Sequence, residues 1–224
     1  MRRATAARQD WAMPTPASAA PDPARWYAQE SLIGAKVTLV PLQVEHAAGF
    51  RAALHAEGGA AAVYRWLGRA VPPDTEQAAR AEIVLALAAR ARGERLPYAQ
   101  LDSTTGGFVG TTSFYEIDPA SRALAIGNTW LGRPWWRTGH NTESKLLLLT
   151  EAFDELGAAR VVWHTDVLNE RSRAAIERLG ATCEGTLRKH RIRADGTWRD
   201  TAQYAMTDDD WPAAKERLQA SLRR

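Results

Sequence analysis

The sequence predicts a mixed α/β (α+β) domain, a mostly antiparallel sheet flanked by helices. Three observations carry that prediction. From Tyr98 to Leu131, apolar and polar residues alternate in three short runs parted by turn residues, the pattern of an antiparallel meander. Over 140–156 the period lengthens, and Leu146, Leu149, Phe153 and Leu156 share one helical face. A strand, a helix and a hairpin then follow at short spacing. A chain of 224 residues suits one domain with or without tails, and 45% hydrophobic residues can bury a full core.

Residues 1–30 are rich in Ala, Pro and Arg without sustained periodicity. They are expected as a flexible tail with a short turn near Trp26 and Tyr27, leaving 31–224 as the domain. Lys36–Val40 is a β-branched strand stopped by Pro41. Residues 43–56 and 74–92 read as helices, the second opening on Asp74-Thr75-Glu76, with a short helix between them around Val63–Leu67. Strands follow at Tyr98–Leu101, Phe108–Ile117 and Ala123–Leu131, turning at Thr104–Gly107 and Asp118-Pro119. The 140–156 helix ends at Gly157. Val161–Val167 is a strand, and 170–179 is a helix with Ala175, Ile176 and Leu179 on one side. Strands at 182–193 and 197–206 flank an Asp195-Gly196 turn, and 208–221 is a final helix.

Composition excludes several classes. Lys and Arg number 29 against 26 acidic residues, a net charge of +3, so nucleic acid is not expected as a partner. Cys183 is alone, so no internal disulfide or cysteine-based zinc site is expected, and a reduced, cytoplasmic setting fits. No apolar run approaches the ~18 residues of a membrane helix, and no membrane partner is expected. Arg2-Arg3 and Ala17-Ser18-Ala19-Ala20 outline a signal peptide, but Gln9, Asp10, Pro14 and Pro16 interrupt its apolar part, so none is expected. Nine tryptophans are many for this length, and Trp135-Trp136 are placed to line a site.

Three places invite chemistry. Between Leu131 and residue 140, a strand feeds a loop and the loop feeds a helix N-terminus. Free amides and the helix dipole there suit a phosphate, with Gly139 allowing close approach and Arg137 adding charge. Asn141 or Thr142 capping an ordinary turn is the alternative. The second place is Asn169-Glu170-Arg171-Ser172. Asn169 either caps the helix or hydrogen-bonds a ligand amide, with Ser172 facing the same cleft one turn on. The third, Leu179-Gly180-Ala181 followed by Glu184-Gly185-Thr186-Leu187-Arg188, is locally a helix stop and strand start.

Taken together with Thr129-Trp130-Leu131 and the run Trp136-Arg137-Thr138-Gly139-His140-Asn141-Thr142-Glu143, these strings resemble the GNAT acetyltransferases. The nearest branch is the Rim type, which includes the N-terminal-alanine acetyltransferases of ribosomal proteins, and the resemblance spans about Leu32 to Leu218. It implies the GNAT fold, with strands 123–131 and 161–167 parallel and splayed apart. It implies acetyl-CoA as co-substrate, without a metal. The pyrophosphate is then expected on Trp136, Arg137, Thr138, Gly139, His140, Asn141 and Thr142, and the pantetheine arm along Trp130 and Leu131 and at Asn169. Ser172 is expected near the thiol as the catalytic group.

Two departures stand out. The family's pyrophosphate signature is Gln or Arg, two residues, Gly, one residue, then Gly or Ala; here those places hold Trp136, Gly139 and Asn141. Some Rim-type enzymes carry a Glu shortly after the Glu-Gly pair as general base, and Arg191 stands there instead. The expected reaction is direct transfer to a primary amine. A backbone amide near Trp130 or Leu131 supports the oxyanion, and Ser172 serves the leaving sulfur. An α-amine, with a pKa of about 7.7–8.0, needs a base less than lysine at about 10.4, so the missing Glu favours a protein or peptide N-terminus. Glu143, Asp166 and His164 remain candidates for a water relay, and Arg188–Arg193 is either a solvated edge or a guide for an acidic peptide or for the cofactor's phosphates. Small-molecule acceptors (aminoglycoside, polyamine or amino acid) and a non-catalytic acyl-CoA-binding module stay as alternatives. Exposed tryptophan and the terminal hairpin allow a homodimer.

Overall fold

The computed structural model describes residues 22–68 and 71–223. Its strands are β1 Leu32–Ile33, β2 Val37–Pro41, β3 Arg95–Asp102, β4 Phe108–Asp118, β5 Ala123–Leu131, β6 Arg160–Asp166, β7 Thr182–Ile192 and β8 Trp198–Thr207. They join in one sheet in the order β1-β2-β3-β4-β5-β6-β8-β7. Neighbours run antiparallel except β5 and β6, which are parallel. The mixed, mostly antiparallel sheet expected from sequence is therefore present, with its parallel pair at the centre.

Helices cover both faces. On one lie α1 Ala47–His55, α2 Ala60–Tyr64 and α3 Glu76–Ala91, where Phe50, Leu54, Ile83, Phe108 and Trp130 form a core. On the other lie α4 His140–Thr150, α5 Glu170–Leu179 and α6 Trp211–Leu222, packed through Leu148, Leu149, Ile176 and Leu218 on Leu39, Phe114, Leu124 and Trp163. Strand β4 is buried from Phe108 to Phe114 because helices lie on both its faces. Small residues fill its middle, and Gly110 lets the Trp130 carbonyl cross where a Cβ would collide.

Some element limits differ from expectation for identifiable reasons. The 43–56 helix divides into a 3₁₀ turn, Val44–His46, and α1. The 140–156 helix is α-helical to Thr150 and then widens into a π turn, Glu151–Glu155, closed by Leu156 N–H to the Glu151 carbonyl at 2.9 Å. That turn buries Ala152, Phe153 and Leu156 together. The last helix starts at Trp211 because the Asp210 carboxylate takes the Thr207 N–H (3.0 Å) and hydroxyl (2.8 Å), holding a turn before it. Strand β1 has two residues, too few for periodicity to announce. Its turn into β2 is held from below by Glu143 of α4, whose buried carboxylate accepts from the amides of Ala35 (3.1 Å), Lys36 (2.6 Å) and Val37 (2.8 Å).

The turn expected near Trp26 is a 3₁₀ turn, Pro23–Tyr27, and Trp26 is 0% exposed within the larger core. The packed unit thus includes residues expected in the tail, while residues 1–21 of that tail lie outside the described residues. No helix among the described residues is long and apolar enough to cross a membrane.

Candidate active site

The site begins as a fork in the sheet. Strands β5 and β6 pair only at Ala123↔Arg160, Leu124↔Val161 and Ala125↔Val162. Beyond Ala125, the edge of β5 that faces β6 has no ladder partner, so backbone groups up to Leu131 border a wedge. A bulge produces the divergence. The β4–β5 register slips between Thr111↔Trp130 and Ser113↔Gly127, and Asn128 takes a φ of 49°.

Side chains satisfy the carbonyls that the bulge frees. Thr111 Oγ1 donates to the Asn128 carbonyl at 3.1 Å, and Gln100 Nε2 donates to those of Thr111 (2.8 Å) and Trp130 (3.2 Å). Beneath the bulge, Lys145 reaches up from α4, its Nζ 2.9 Å from Thr112 Oγ1 and 2.8 Å from Thr129 Oγ1. The two hydroxyls lie 2.8 Å apart, and Thr129 donates to the Gly127 carbonyl at 3.3 Å. Lys145 forms no ion pair among the described residues, and burial pulls its pKa from 10.5 down to about 7. A neutral amine fits this network, with one N–H for each hydroxyl.

At the wide end of the fork, the chain turns through Arg133–Trp135 into α4. Arg137 (φ 63°) and Gly139 (φ 92°) are both left-handed, which curls the amides toward one point. Gly139 is the N-cap and offers no side chain, and none of the amides of 137–142 donates to another group among the described residues. By contrast, α3 and α5 are capped by Thr75 and Asn169. This open row of amides at a helix N-terminus has the form of a cradle that suits an anion. His140 fixes it from behind: Nδ1 meets Thr138 Oγ1 at 2.7 Å and Nε2 meets Asp102 Oδ2 at 2.9 Å. His140, followed by the Thr105 amide, holds the Asp102 pKa down at about 2. The aliphatic chain of Lys36 lies against Gly139.

Across the fork, Asn169 is the helix cap, its Oδ1 accepting from the Ser172 amide at 3.1 Å. The capping alternative therefore describes its oxygen, while its Nδ2 is uncommitted among the described residues. The Ser172 hydroxyl, half-buried one turn into α5, likewise has no partner there. Trp136 anchors the loop through Nε1–H to the Leu131 carbonyl at 2.8 Å and packs on both cores. The Arg171 guanidinium lies 3.9 Å from its ring centroid, bridging α5 and the cradle loop.

On the α1–α3 face, Tyr115 of β4 passes over Gly127 and meets His164 of β6, hydroxyl to Nδ1 at 3.2 Å. Nε2 of His164 faces Gln203 Oε1 at 3.2 Å, which suits an Nε2–H tautomer accepting from the tyrosine. Burial pushes the Tyr115 pKa up. His164 and Asp166 share a face of β6 by alternation but do not pair; Asp166 is held by Arg193 at 2.7 and 3.0 Å. Hydrogen bonding to Arg193 keeps the Asp166 pKa low despite burial.

The structure thus gathers Trp136, Arg137, Thr138, Gly139, His140, Asn141, Thr142, Asn169 and Ser172 around the wide end of one fork, with Trp130 and Leu131 on its edge. The Trp130 side chain itself is core, edge-on to Phe50 at 4.8 Å, so only its backbone borders the wedge. Sequence reasoning missed Lys145, Tyr115, Arg171 and Lys36. Their positions depend on pairings between distant strands and helices that no local pattern announces.

Comparison with known proteins agrees with this geometry. Residues 36–182 match the Acetyltransferase (GNAT) domain family. YdaF of Bacillus subtilis (strain 168), a candidate ribosomal N-acetyltransferase, is 31% identical over 127 residues, which is 54% of this chain and 68% of that one. A GCN5-related N-acetyltransferase from Brucella melitensis aligns with a TM-score of 0.80 at 31% identity, covering 86% of this chain and 85% of its own. A candidate acetyltransferase from T. thermophilus aligns at 0.75 with 37% identity, covering 87% and 98%.

Proposed function

We propose, from the premise that this chain belongs to the GNAT acetyltransferase family and is an acetyl-CoA-dependent N-acetyltransferase, that its acceptor is the α-amine of a protein or peptide N-terminus. The observation that carries the proposal is the state of the candidate bases. Glu143 is buried under three backbone amides, and Asp166 is taken by Arg193. Neither carboxylate is free to deprotonate a lysine, whereas an α-amine with a pKa of about 7.7–8.0 is already substantially neutral near pH 7.5. The ribosomal N-acetyltransferase in the name of the Bacillus relative supports the same class of acceptor.

The residues fit acetyl-CoA. The open amides of 137–142 suit its pyrophosphate, with Arg137 adding charge. The free edge of β5 suits the amide groups of its arm, assisted by Asn169 Nδ2. Acetyl-CoA supplies the thioester that the amine nitrogen attacks. A backbone amide near Trp130 or Leu131 steadies the carbonyl oxygen, and the Ser172 hydroxyl hydrogen-bonds the sulfur as the C–S bond breaks and the C–N bond forms. The α-amine attacks in its neutral form, and the proton it sheds after attack passes to the Tyr115–His164 pair, which is not required to create the nucleophile. The reading also takes the protein as cytoplasmic, and as a homodimer through β7, which is exposed along its whole length.

The test begins with calorimetric titration of acetyl-CoA. Incubation then follows with a peptide carrying a free N-terminus, a matched peptide with a blocked N-terminus and one lysine, and spermidine. Acetylation of the α-amine alone is expected by mass spectrometry. Acetyl transfer confined to lysine or spermidine would overturn the acceptor, and absence of acetyl-CoA binding would overturn the assignment of the cradle.

A further inference from the structure

Beyond the fork, the tip of the β7–β8 hairpin and the segment after α2 enclose a cavity of about 200 Å³ whose walls include Arg65, Asp166, Arg191, Arg193 and Arg199. Four guanidiniums face one lining carboxylate, and they are not equally occupied. Arg193 is spent: it chelates Asp166 through Nε and Nη2, and its Nη1 donates to Thr197 Oγ1 (3.2 Å) and the Trp198 carbonyl (2.6 Å). Among the described residues Arg191 pairs with Glu116 alone, at 3.8 Å, with both side chains about half exposed. Arg65 lies 4.8 Å from the Trp66 ring centroid and has no ion pair among the described residues. The Nε of Arg199 is buried without a hydrogen-bond partner, and Arg199 forms no ion pair there either.

Arg65 and Arg199 thus line the cavity without a counter-charge among the described residues, and a bound anion would supply one to their exposed guanidinium edges. Burial holds the Arg199 pKa below its ordinary value, and both Arg191 and Arg199 are felt electrostatically at Tyr115. Glu116, the partner of Arg191, also stands 3.7 Å from His164 Nδ1. The cavity therefore adjoins the Tyr115–His164 pair.

We propose that this cavity binds the carboxylates of an acidic acceptor, so that the favoured substrate is an N-terminus followed at once by Asp or Glu. The proposal deepens the reading above and rests on it. Guanidinium forks match carboxylates in geometry as well as charge. The same cluster repels polyamines and other cationic amines. Its positive field also lowers the pKa of an amine held beside it, which favours the neutral nucleophile. The phosphates of acetyl-CoA are the other anions at hand, and the test separates them.

The test compares kcat/KM for peptides that share an N-terminal alanine and carry Glu, Gln or Lys at their second and third residues. The Glu peptide is expected to exceed the Gln peptide by about tenfold or more, as two charge-assisted contacts imply, and the Lys peptide to be poorest. Arg199→Gln, and separately Arg65→Glu at an exposed position that leaves the core untouched, are expected to level this ranking while acetyl-CoA affinity stays the same. Equal rates, preference for the Lys peptide, or loss of acetyl-CoA affinity in both variants would overturn the proposal. If no peptide is acetylated, the CoA-loaded protein is titrated with the Glu peptide. Binding that Arg199→Gln weakens upholds the anion site although the acceptor reading fails, and no binding overturns both.

Discussion

Lys145→Met removes the one cation that the fold buries beneath the bulge and keeps nearly the same volume. The folded pKa of about 7 lies well below the ordinary 10.5. Between those values the unfolded chain holds a proton that the folded chain has released, so stability rises with pH across that window. Below pH 7 both states are protonated, and the folded state carries the full penalty of a buried ammonium. Each pKa unit corresponds to about 1.4 kcal/mol, so the wild type gains roughly 2 kcal/mol on Lys145→Met between pH 6 and 8.5. Urea denaturation of both proteins at pH 6, 7 and 8.5 measures it, and the difference cancels every other titrating group. Thr112 and Thr129 still bond each other and the Gly127 carbonyl in the variant, so no hydroxyl is orphaned. A stability gap that stays flat within about 0.5 kcal/mol, or that narrows toward alkaline pH, would refute the neutral amine.

Three further substitutions separate structural from chemical roles. Glu143→Gln puts an NH₂ among three amide donors and is expected to lower stability by about 2–4 kcal/mol, read from the urea midpoint. Trp136→Phe keeps the packing but leaves the Leu131 carbonyl without its indole donor; about a fivefold loss of acetyl-CoA affinity by calorimetry is expected, since the loop bearing the cradle slackens. Ser172→Ala removes a hydroxyl with no partner among the described residues, so stability should change by less than about 0.5 kcal/mol while kcat falls by about tenfold or more. Unchanged kcat would remove Ser172 from the reaction.

The parts of this fold that were legible in the sequence are those with a local cause. Strand β5 begins at Ala123 and ends at Leu131, and α5 runs from Glu170 to Leu179, both as alternation, capping and the stop at Gly180 predict. Gly139 was expected at a helix head to let a phosphate approach closely; the structure shows a different need for glycine there, a left-handed φ of 92°. Glu143 stood among the relay candidates because its three amide partners, which make it structural, lie more than 100 residues earlier. Lys145 sits in an apolar helix and carries no signal of the threonines above it. Tyr115 and His164 come together only through the parallel pairing of β5 with β6, a long-range contact that periodicity does not encode.

The two departures from the family pattern have physical consequences that point the same way. Where the signature has a flexible polar side chain, Trp136 ties its loop to the Leu131 carbonyl and both cores, so the cradle is held by packing and its amides stay open. At the place where the Rim-type pattern has a Glu in some members, Arg191 lines a cavity beside Arg199, which forms no ion pair among the described residues. Exchanging a carboxylate for a guanidinium there removes a base and adds a positive field. A lysine acceptor would need the base and be repelled by the field. An α-amine followed by carboxylates needs little base, is attracted by the field, and has its neutral form favoured by it. On the proposed acceptor reading the two departures act together, and Arg191→Glu is expected to move the preference away from acidic peptides in a single step, read as kcat/KM on the Glu and Lys peptides.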